Sequence, residues 1–234
     1  MSVEANKARQ VREMFGRIAP RYDLLNHLLS INIDKRWRRF TVAQLADLLA
    51  RSDARALDVC CGTADLAIEL NRHAHTCGVD FCHNMLVIGN EKVARQARPI
   101  WLLEGDALQL PFANEAFNVI TCAFGLRNLA DPAAGLAEFF RILKPGGRVA
   151  ILEFSQPVLP LFRTIFNFYF RYLLPLIGGA VSGSFTAYRY LPTSVAQFPN
   201  QEGLVAIMQA TGYKKVRYFN LTGGIAALHL GERM

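Results

Sequence analysis

Acidic residues recur near the ends of three successive apolar runs of this sequence, and a glycine turn follows the first run. Asp58 precedes Gly62 by four positions, Asp80 ends the second run, and Asp106 follows the third. Ligands of parallel α/β sheets bind at the edge formed by the carboxyl ends of the strands. Because glycine lets backbone amides approach a ligand closely, the turn at Gly62 predicts the floor of a cofactor site.

The charge around this turn argues against a dinucleotide. A pyrophosphate-binding turn needs the pattern Gly-x-Gly-x-x-Gly, whereas Gly62 is the only glycine of this turn. Asp58 and Asp65 would repel a pyrophosphate, but they suit a ligand with a positive amino-acid end and a sulfonium. We therefore predict S-adenosylmethionine as the cofactor, with Asp80 binding the ribose hydroxyls and Asp106 or its neighbouring amide reading the adenine.

An alternation of strands and helices must position these residues. From Arg55 onward, short apolar runs alternate with stretches of helical periodicity, an order typical of parallel βαβ units. The C-terminal part adds a helix and two strands joined by a Gly-Gly turn, which predicts a final hairpin. The predicted strands are 55–60, 75–80, 99–104, 117–123, 147–153, 214–220 and 225–230, and the predicted helices are 64–72, 84–97, 132–143 and 202–211.

The residues before the first strand predict about three helices. Residues 5–15 place apolar side chains at helical spacing, and Pro20 is expected to end that helix. The pattern returns at 22–29 and at 34–50. We expect a single domain, residues 1–234, with a helical cap (1–52), a cofactor-binding core (53–155), a hydrophobic helical insertion (156–200) and a terminal helix with a hairpin (201–234).

The composition favours a globular protein with a basic N-terminal region. Apolar residues make up 52% of the chain, and the five cysteines lack metal-ligand spacing, so we expect a buried core, free thiols and no metal site. Residues 1–55 hold eleven Lys or Arg against six Asp or Glu, most densely at Lys35-Arg-Trp-Arg-Arg39. This cluster fits an anionic membrane surface, a phosphate, or a solvated helix face whose Trp37 packs inward. No secretory signal is expected at Met1–Lys7.

Two longer blocks carry a more specific pattern, Phe124-Gly-Leu-Arg-Asn128 and Asn220-Leu-Thr-Gly-Gly-Ile225. They resemble blocks of the demethylmenaquinone and 2-methoxy-6-polyprenyl-1,4-benzoquinol C-methyltransferases. The strand-end acids and the turn Leu143-Lys-Pro-Gly-Gly147 resemble class I S-adenosylmethionine-dependent methyltransferases in general. The resemblance implies an α/β, Rossmann-like sheet of seven mostly parallel strands. It also implies C-methylation of a polyprenylated quinol ring, with demethylmenaquinol to menaquinol as the first choice and a benzoquinol as the alternative.

The same resemblance implies a set of cofactor-binding residues. At residue 64 this chain has Ala where the family usually has Gly, and we expect a negative φ there because Ala adopts one at little cost. Pro111 and Phe112 are expected to offer an apolar surface to a flat ring. The residues expected to bind S-adenosylmethionine are Asp58, Gly62, Thr63, Asp80, Phe81, Asp106, Ala107 and Ala123.

Methylation of a quinol carbon needs a hydroxyl that loses its proton and pushes charge onto the neighbouring carbon. Arg127 stays protonated in proteins, so we expect it to stabilise the aryl-oxide, while Asn128 orients a water or a hydroxyl. Tyr22, from the N-terminal cap, is the third predicted catalytic residue. The structural alternative for Arg127 is an ion pair with Asp131 or another acid.

The segment 158–181 is strongly apolar, but Arg163 and Arg171 argue against a membrane span. We expect a lid or tunnel for a polyprenyl tail, a helix lying on the membrane surface, or a homodimer face. Phe166 and Tyr188 are the predicted substrate-binding residues. We expect the protein to be cytoplasmic and to contact the inner face of the cytoplasmic membrane, because a lipid-soluble quinol would be met there.

Two other functions compete with quinol methylation. A nucleic-acid methyltransferase would explain the basic charge, but base methylation often uses an Asn-Pro-Pro-aromatic loop after the fourth strand. Phe124-Gly-Leu-Arg-Asn128 occupies that place here, so we expect no nucleic-acid partner. A polyprenyl-binding protein without catalysis would explain the apolar insertion but not the acids at the strand ends.

Overall fold

The computed structural model describes residues 3–29, 32–158, 164 and 185–234. Its centre is a seven-stranded sheet with the order β3-β2-β1-β4-β5-β7-β6, in which β7 runs antiparallel to the other six strands. This confirms the predicted mostly parallel α/β sheet. The strands are β1 (Arg55–Val59), β2 (His75–Asp80), β3 (Trp101–Glu104), β4 (Phe117–Ala123), β5 (Leu143–Phe154), β6 (Lys214–Leu221) and β7 (Ala226–Glu232).

Helices cover both faces of this sheet, because successive residues of the central strands point to opposite sides. Leu57 and Ile120 pack in one hydrophobic cluster, whereas their neighbours Ala56 and Val119 pack in the other. All five cysteines are free thiols. The helices are α1 (Val3–Leu29), α2 (Ile33–Ala43), α3 (Ala46–Leu49), α4 (Asp65–Asn71), α5 (His83–Val93), α6 (Pro132–Ile142), α7 (Phe185–Gln197) and α8 (Gln201–Thr211).

The N-terminal cap differs from the prediction at Pro20. Helix α1 continues through this proline, which lacks the N–H that would bond to the Gly16 carbonyl. The Asn84 side chain, on α5, donates to that carbonyl at 3.2 Å instead. Because a tertiary contact replaces the missing helical bond, the two expected helices are one.

The basic cluster of α2 is divided between the surface and the interior. Lys35, Arg36 and Arg39 are exposed, whereas Arg38 pairs with Asp34 at 2.5 Å. Trp37 is buried and donates its indole N–H to the Thr222 hydroxyl at 3.0 Å, so the aromatic ring packs inward. Within the described ranges, no helix has both the length and the hydropathy needed to cross a bilayer. Most of the predicted insertion lies outside these ranges.

Candidate active site

A cavity of about 390 Å³ opens at the carboxyl ends of β1, β2, β3 and β4. Its size lies within the range of small-molecule and cofactor sites. The cavity wall combines a polar part from β1 to β3, a helical part from α1, and a largely apolar part from the loop after β4. It consists of Arg9, Arg12, Phe15, Tyr22, Val59, Cys60, Gly62, Val79, Asp80, Phe81, Met85, Gly105, Asp106, Ala107, Leu108, Ala123, Phe124, Gly125 and Asn128–Ala130.

Asp80 and Gly62 form the polar floor, where the sequence placed them. The two Asp80 oxygens accept from the Gly62 amide at 2.8 Å and from the Cys82 amide at 2.9 Å. Asp80 is only 7% exposed, and its burial raises the pKa of the carboxyl although these amides oppose the rise. Gly62 has φ +54, and a Cβ built there meets nothing within 4 Å, so its backbone is bare toward the cavity.

The wall after β3 presents a carboxylate and an apolar surface. Asp106 Oδ1 accepts from the Leu108 amide at 2.9 Å, while Oδ2 accepts no hydrogen bond from the described residues. Phe81 and Leu108 supply apolar surface to the cavity. The expected contribution of Phe112 is corrected, because its ring packs against Phe117 at a centroid distance of 4.9 Å and does not line the cavity.

Helix α1 contributes more to the wall than the sequence indicated. Tyr22 lines the cavity as predicted, but Arg9, Arg12 and Phe15 line it too. The Arg12 guanidinium lies over the Phe81 ring, 5.4 Å from its centroid. Their spacing in the sequence, of three, three and seven residues, could have indicated this. It places all four side chains on one face of a helix that continues past Pro20.

The loop after β4 approaches the turn after β1 very closely. A Cβ at Gly125 would lie 2.3 Å from the Cys60 Cβ, so only glycine fits here without displacing the backbone. Ala123 and Asn128 flank this contact and both line the cavity, as predicted. The close approach therefore brings the predicted cofactor and catalytic residues to one cavity.

Asn128 is held at two points. Its Nδ2 donates to the Phe124 carbonyl at 3.2 Å, and its Oδ1 accepts from the Tyr190 hydroxyl, on α7, at 3.1 Å. Burial raises the pKa of Tyr190, which keeps its hydroxyl protonated. Tyr190 was not assigned a role from the sequence, because nothing local in the chain links it to Asn128.

Arg127 does not take the predicted place in the cavity wall. Its side chain is buried, and Nη1 donates to a Glu153 carboxylate oxygen at 2.6 Å and to the Phe124 carbonyl at 2.5 Å. The structural alternative for Arg127 therefore holds, because its guanidinium forms an ion pair with an acid. That acid is Glu153, since Asp131 instead caps α6 by accepting from the Ala133 amide at 2.8 Å.

Asp58 and Thr63 also lie behind the wall and not in it. Asp58 is 1% exposed and accepts from the Thr121 hydroxyl at 2.7 Å, while burial raises the pKa of its carboxyl to about 7. The Thr63 hydroxyl donates to Asp23 of α1 at 2.6 Å. Both residues therefore support the strand end and the cap, a placement that differs from the expected cofactor contact.

Ala64 corrects a further expectation, because its φ is +70. Ala64 directly precedes α4 in this left-handed conformation, which glycine adopts with less strain than alanine. The predicted substrate residues are not tested by this geometry. Phe166 lies outside the described residues, and so does the side chain of Tyr188.

A family model described as the ubiE/COQ5 methyltransferase family matches residues 2–233. The chain belongs to this family. Demethylmenaquinone methyltransferase of Deinococcus radiodurans is 48% identical over 97% of this chain and 94% of the relative. Ubiquinone/menaquinone biosynthesis C-methyltransferase UbiE of Geotalea uraniireducens is 46% identical over 97% of this chain and 97% of the relative.

A solved structure supports the fold of this family member. A SAM-dependent methyltransferase from Aquifex aeolicus matches it with a TM-score of 0.59 and 16% identity, over 83% of this chain and 89% of that chain. The protein is a methyltransferase, and S-adenosylmethionine is its cofactor. The cavity fits this group, because it joins the bare backbone of Gly62, the buried carboxylate of Asp80 and the accepting oxygen of Asp106.

Proposed function

We propose that this ubiE/COQ5-family methyltransferase transfers a methyl group to a ring carbon of a polyprenylated quinol, and that the natural reaction converts demethylmenaquinol to menaquinol. The observation that carries the proposal is the division of one cavity into two ends. Asp80 and Asp106 follow β2 and β3 at one end, whereas Phe124, Asn128 and Leu129 follow β4, on the other side of β1. A polar cofactor and an apolar ring suit these two ends.

The polar end is assigned to the cofactor, which supplies a methyl group on a positively charged sulfur when bound. Each oxygen of a carboxylate can accept two hydrogen bonds, so Asp80 can accept from the ribose hydroxyls while it holds the Gly62 and Cys82 amides. Asp106 Oδ2 and the Ala107 amide are assigned to the adenine edge. Phe81 and Leu108 bound the adenine, and Ala123 lies beside the methyl group.

The proposed methyl transfer from sulfur to the ring carbon balances in atoms and in charge. A quinol hydroxyl releases its proton to water, and the resulting aryl-oxide pushes an electron pair onto the neighbouring ring carbon. That carbon forms a bond to the methyl group as the methyl–sulfur bond breaks. The carbon then loses its hydrogen as a proton and the oxygen regains one, so that one proton is released overall. Orientation of the two reactants can supply roughly 7–11 kcal/mol of the barrier.

The apolar end is assigned to the ring and the start of its tail. Tyr22 and Phe15 of α1 pack edge to face with centroids 5.9 Å apart and add an aromatic surface to the cavity wall. Segment 158–181, with Phe166, is proposed as the cover over the polyprenyl tail, and Tyr188 as a further ring contact. The same segment is the candidate for a homodimer face.

The test compares quinols as acceptors. Purified protein and S-adenosylmethionine carrying a tritiated methyl group are incubated under reducing conditions with demethylmenaquinol, with a polyprenyl benzoquinol, and with RNA. We expect label in menaquinol, at a kcat/KM well above that for the benzoquinol. Transfer to the benzoquinol alone would replace the ring assignment, and transfer to RNA alone would refute the proposal.

We further propose that the protein contacts an anionic membrane surface to reach its lipid-soluble substrate. Lys35, Arg36 and Arg39 are exposed on α2, and Arg9 and Arg12 are exposed beside the cavity. Each Lys or Arg near an anionic bilayer contributes about 1 kcal/mol of attraction. This charge is complementary to phosphatidylglycerol headgroups.

Sedimentation with lipid vesicles tests the contact. We expect binding to vesicles rich in phosphatidylglycerol, none to pure phosphatidylcholine, and loss of binding at high salt. The triple variant Lys35→Gln, Arg36→Gln, Arg39→Gln should bind at least tenfold more weakly. The control triple Arg95→Gln, Lys214→Gln, Arg217→Gln removes equal charge elsewhere, and equal weakening by both triples would refute a specific docking face.

A further inference from the structure

Tyr190 and Asn128 form a pair whose donors and acceptors can be assigned from chemistry alone. The Phe124 carbonyl can only accept, so the Asn128 atom that faces it at 3.2 Å must be the amide nitrogen. The other end of the amide is then the oxygen, and the Tyr190 hydroxyl at 3.1 Å must donate to it. The two contacts therefore fix which face of Asn128 is donor and which is acceptor.

This fixed amide still has hydrogen-bonding capacity at the cavity. An Asn side chain has two N–H donors and two acceptor lone pairs, of which one each are used by Phe124 and Tyr190. Asn128 lines the cavity among apolar neighbours such as Phe124, Leu129 and Ala130. In such surroundings a preoriented N–H stabilises a developing negative charge strongly, because apolar neighbours lower the local dielectric constant.

The groups around the pair favour a neutral donor over an ionised one. Arg127 and Glu153 are the charged residues that act on Tyr190, and they neutralise each other through their 2.6 Å ion pair. The burial of Tyr190 also keeps its hydroxyl protonated. Neither Tyr190 nor Asn128 is therefore suited to accept the proton of a substrate.

We propose that Asn128 donates a hydrogen bond to the aryl-oxide oxygen of the quinol and that Tyr190 is the positioning residue that holds the Asn128 amide for this task. The inference rests on the proposed function and deepens it. Tyr190 acts only through Asn128, so its hydroxyl matters only while Asn128 is present. The quinol proton itself passes to water.

A double-mutant cycle tests this dependence with demethylmenaquinol as substrate. Asn128→Ala should lower kcat by roughly 100-fold, the usual loss for one donor to an oxyanion. Tyr190→Phe should lower kcat by about tenfold and leave the affinity for S-adenosylhomocysteine unchanged. Added to Asn128→Ala, Tyr190→Phe should have no further effect. An equal tenfold loss in both backgrounds, or none in the wild-type background, would overturn the positioning role.

The pH profile and a control variant separate this role from a general loss of structure. Loss of the donor makes the bound hydroxyl harder to ionise, so the acid limb of kcat should move to higher pH in Asn128→Ala, and by less in Tyr190→Phe. Tyr218 donates to Glu202 at 2.7 Å on the surface, and it does not line the cavity. Tyr218→Phe should leave kcat and its pH profile as in the wild type. An unmoved acid limb in Asn128→Ala would overturn the donor role.

A binding readout keeps this inference separate from the proposed function. With S-adenosylhomocysteine bound, the ionisation of 2-naphthol in the cavity can be followed by its fluorescence. The apparent pKa of bound naphthol should be lower in the wild type than in either single variant. A wild type that lowers this pKa but methylates no quinol would refute the proposed function alone. A wild type that methylates quinol, with equal naphthol pKa values in all variants, would refute the donor role alone.

Discussion

The cavity wall and the layer directly behind it are built from neighbouring residues that perform different work. In the wall, Gly62 and Asn128 present backbone or amide groups to the cavity. In the supporting layer, which we define as Asp58, Thr63, Thr121, Arg127 and Glu153, side chains satisfy one another or the cap and do not line the cavity.

Adjacent positions fall on opposite sides of this division. Gly62 is in the wall and Thr63 is behind it, and Asn128 is in the wall while Arg127 is behind it. Polar residues that are adjacent in a motif need not all touch the ligand. We therefore expect substitutions in the supporting layer to change mainly stability, and substitutions in the wall to change mainly binding or turnover.

The largest effect is expected for Arg127→Met. This change leaves Glu153 as an unpaired buried acid, and breaking a buried pair on one side typically costs about 3–5 kcal/mol. Urea unfolding measures the loss. The double variant Arg127→Met, Glu153→Leu should recover part of it, because no unpaired charge remains.

Arg148→Met provides the control for this pair. Arg148 has two acidic partners: Asp47 is 63% exposed and can be solvated when the arginine is lost, and Glu232 keeps Lys215 as a partner. We expect a cost near 1 kcal/mol, typical of surface pairs. A loss as small for Arg127→Met would contradict the assignment of Arg127 to the supporting layer.

The next effect concerns the pH dependence of stability at Asp58. Burial raises the pKa of this carboxyl to about 7 from an ordinary 3.8, so the folded protein binds an extra proton between these values. Its contribution to stability is complete below about pH 4 and is lost as pH rises through 7, a change on the order of 4 kcal/mol. Asp58→Asn should remove this slope, since the Thr121 hydroxyl can accept from an amide as well as donate.

Urea unfolding between pH 4 and pH 8 checks the slope. Asp58→Asn should be more stable than the wild type at pH 8 and about equal to it at pH 4. Asp53→Asn, at an exposed position, should retain the slope of the wild type. A slope unchanged by Asp58→Asn would show that this carboxyl stays ionised in the fold.

A wall residue gives the third effect. Asp80→Asn removes one of two accepting oxygens, so either a backbone amide or a ribose hydroxyl loses its partner. Hydrogen bonds to charged groups contribute about 1.5–3 kcal/mol, which predicts a 10- to 100-fold weaker affinity for S-adenosylmethionine by calorimetry. Glu104→Gln, at the paired position of β3 but outside the cavity wall, should bind normally. Equal weakening in both variants would point to loss of general negative charge.

The sequence predicted the sheet well because its strands are short apolar runs bounded by turn residues. It predicted that Gly62, Asp80 and Asp106 lie in one cavity wall, because the strand ends of a parallel sheet meet at one edge. Their contact with the cofactor stays a prediction. It could not place Arg127, since the ion-pair partner Glu153 lies 26 residues away on β5. The continuation of α1 through Pro20 also depended on a tertiary contact, from Asn84.

The smallest effect compares two glycines that share one backbone conformation. Gly62 (φ +54) and Gly146 (φ +76) are both left-handed, and a Cβ at either meets nothing within 4 Å. Gly62→Ala and Gly146→Ala should therefore each cost about 1 kcal/mol of stability, because Ala is strained in this conformation. Only at Gly62 does the new methyl group enter the cavity wall.

Calorimetry then separates strain from site, because the two variants are matched in everything but position. Gly62→Ala should bind S-adenosylmethionine several-fold more weakly, whereas Gly146→Ala should bind it as the wild type does. Equal affinities in the two variants would mean that the Gly62 backbone is not approached by the cofactor. Asp80 alone would then form the floor of the cofactor site, and Gly62 would belong with Thr63 in the supporting layer.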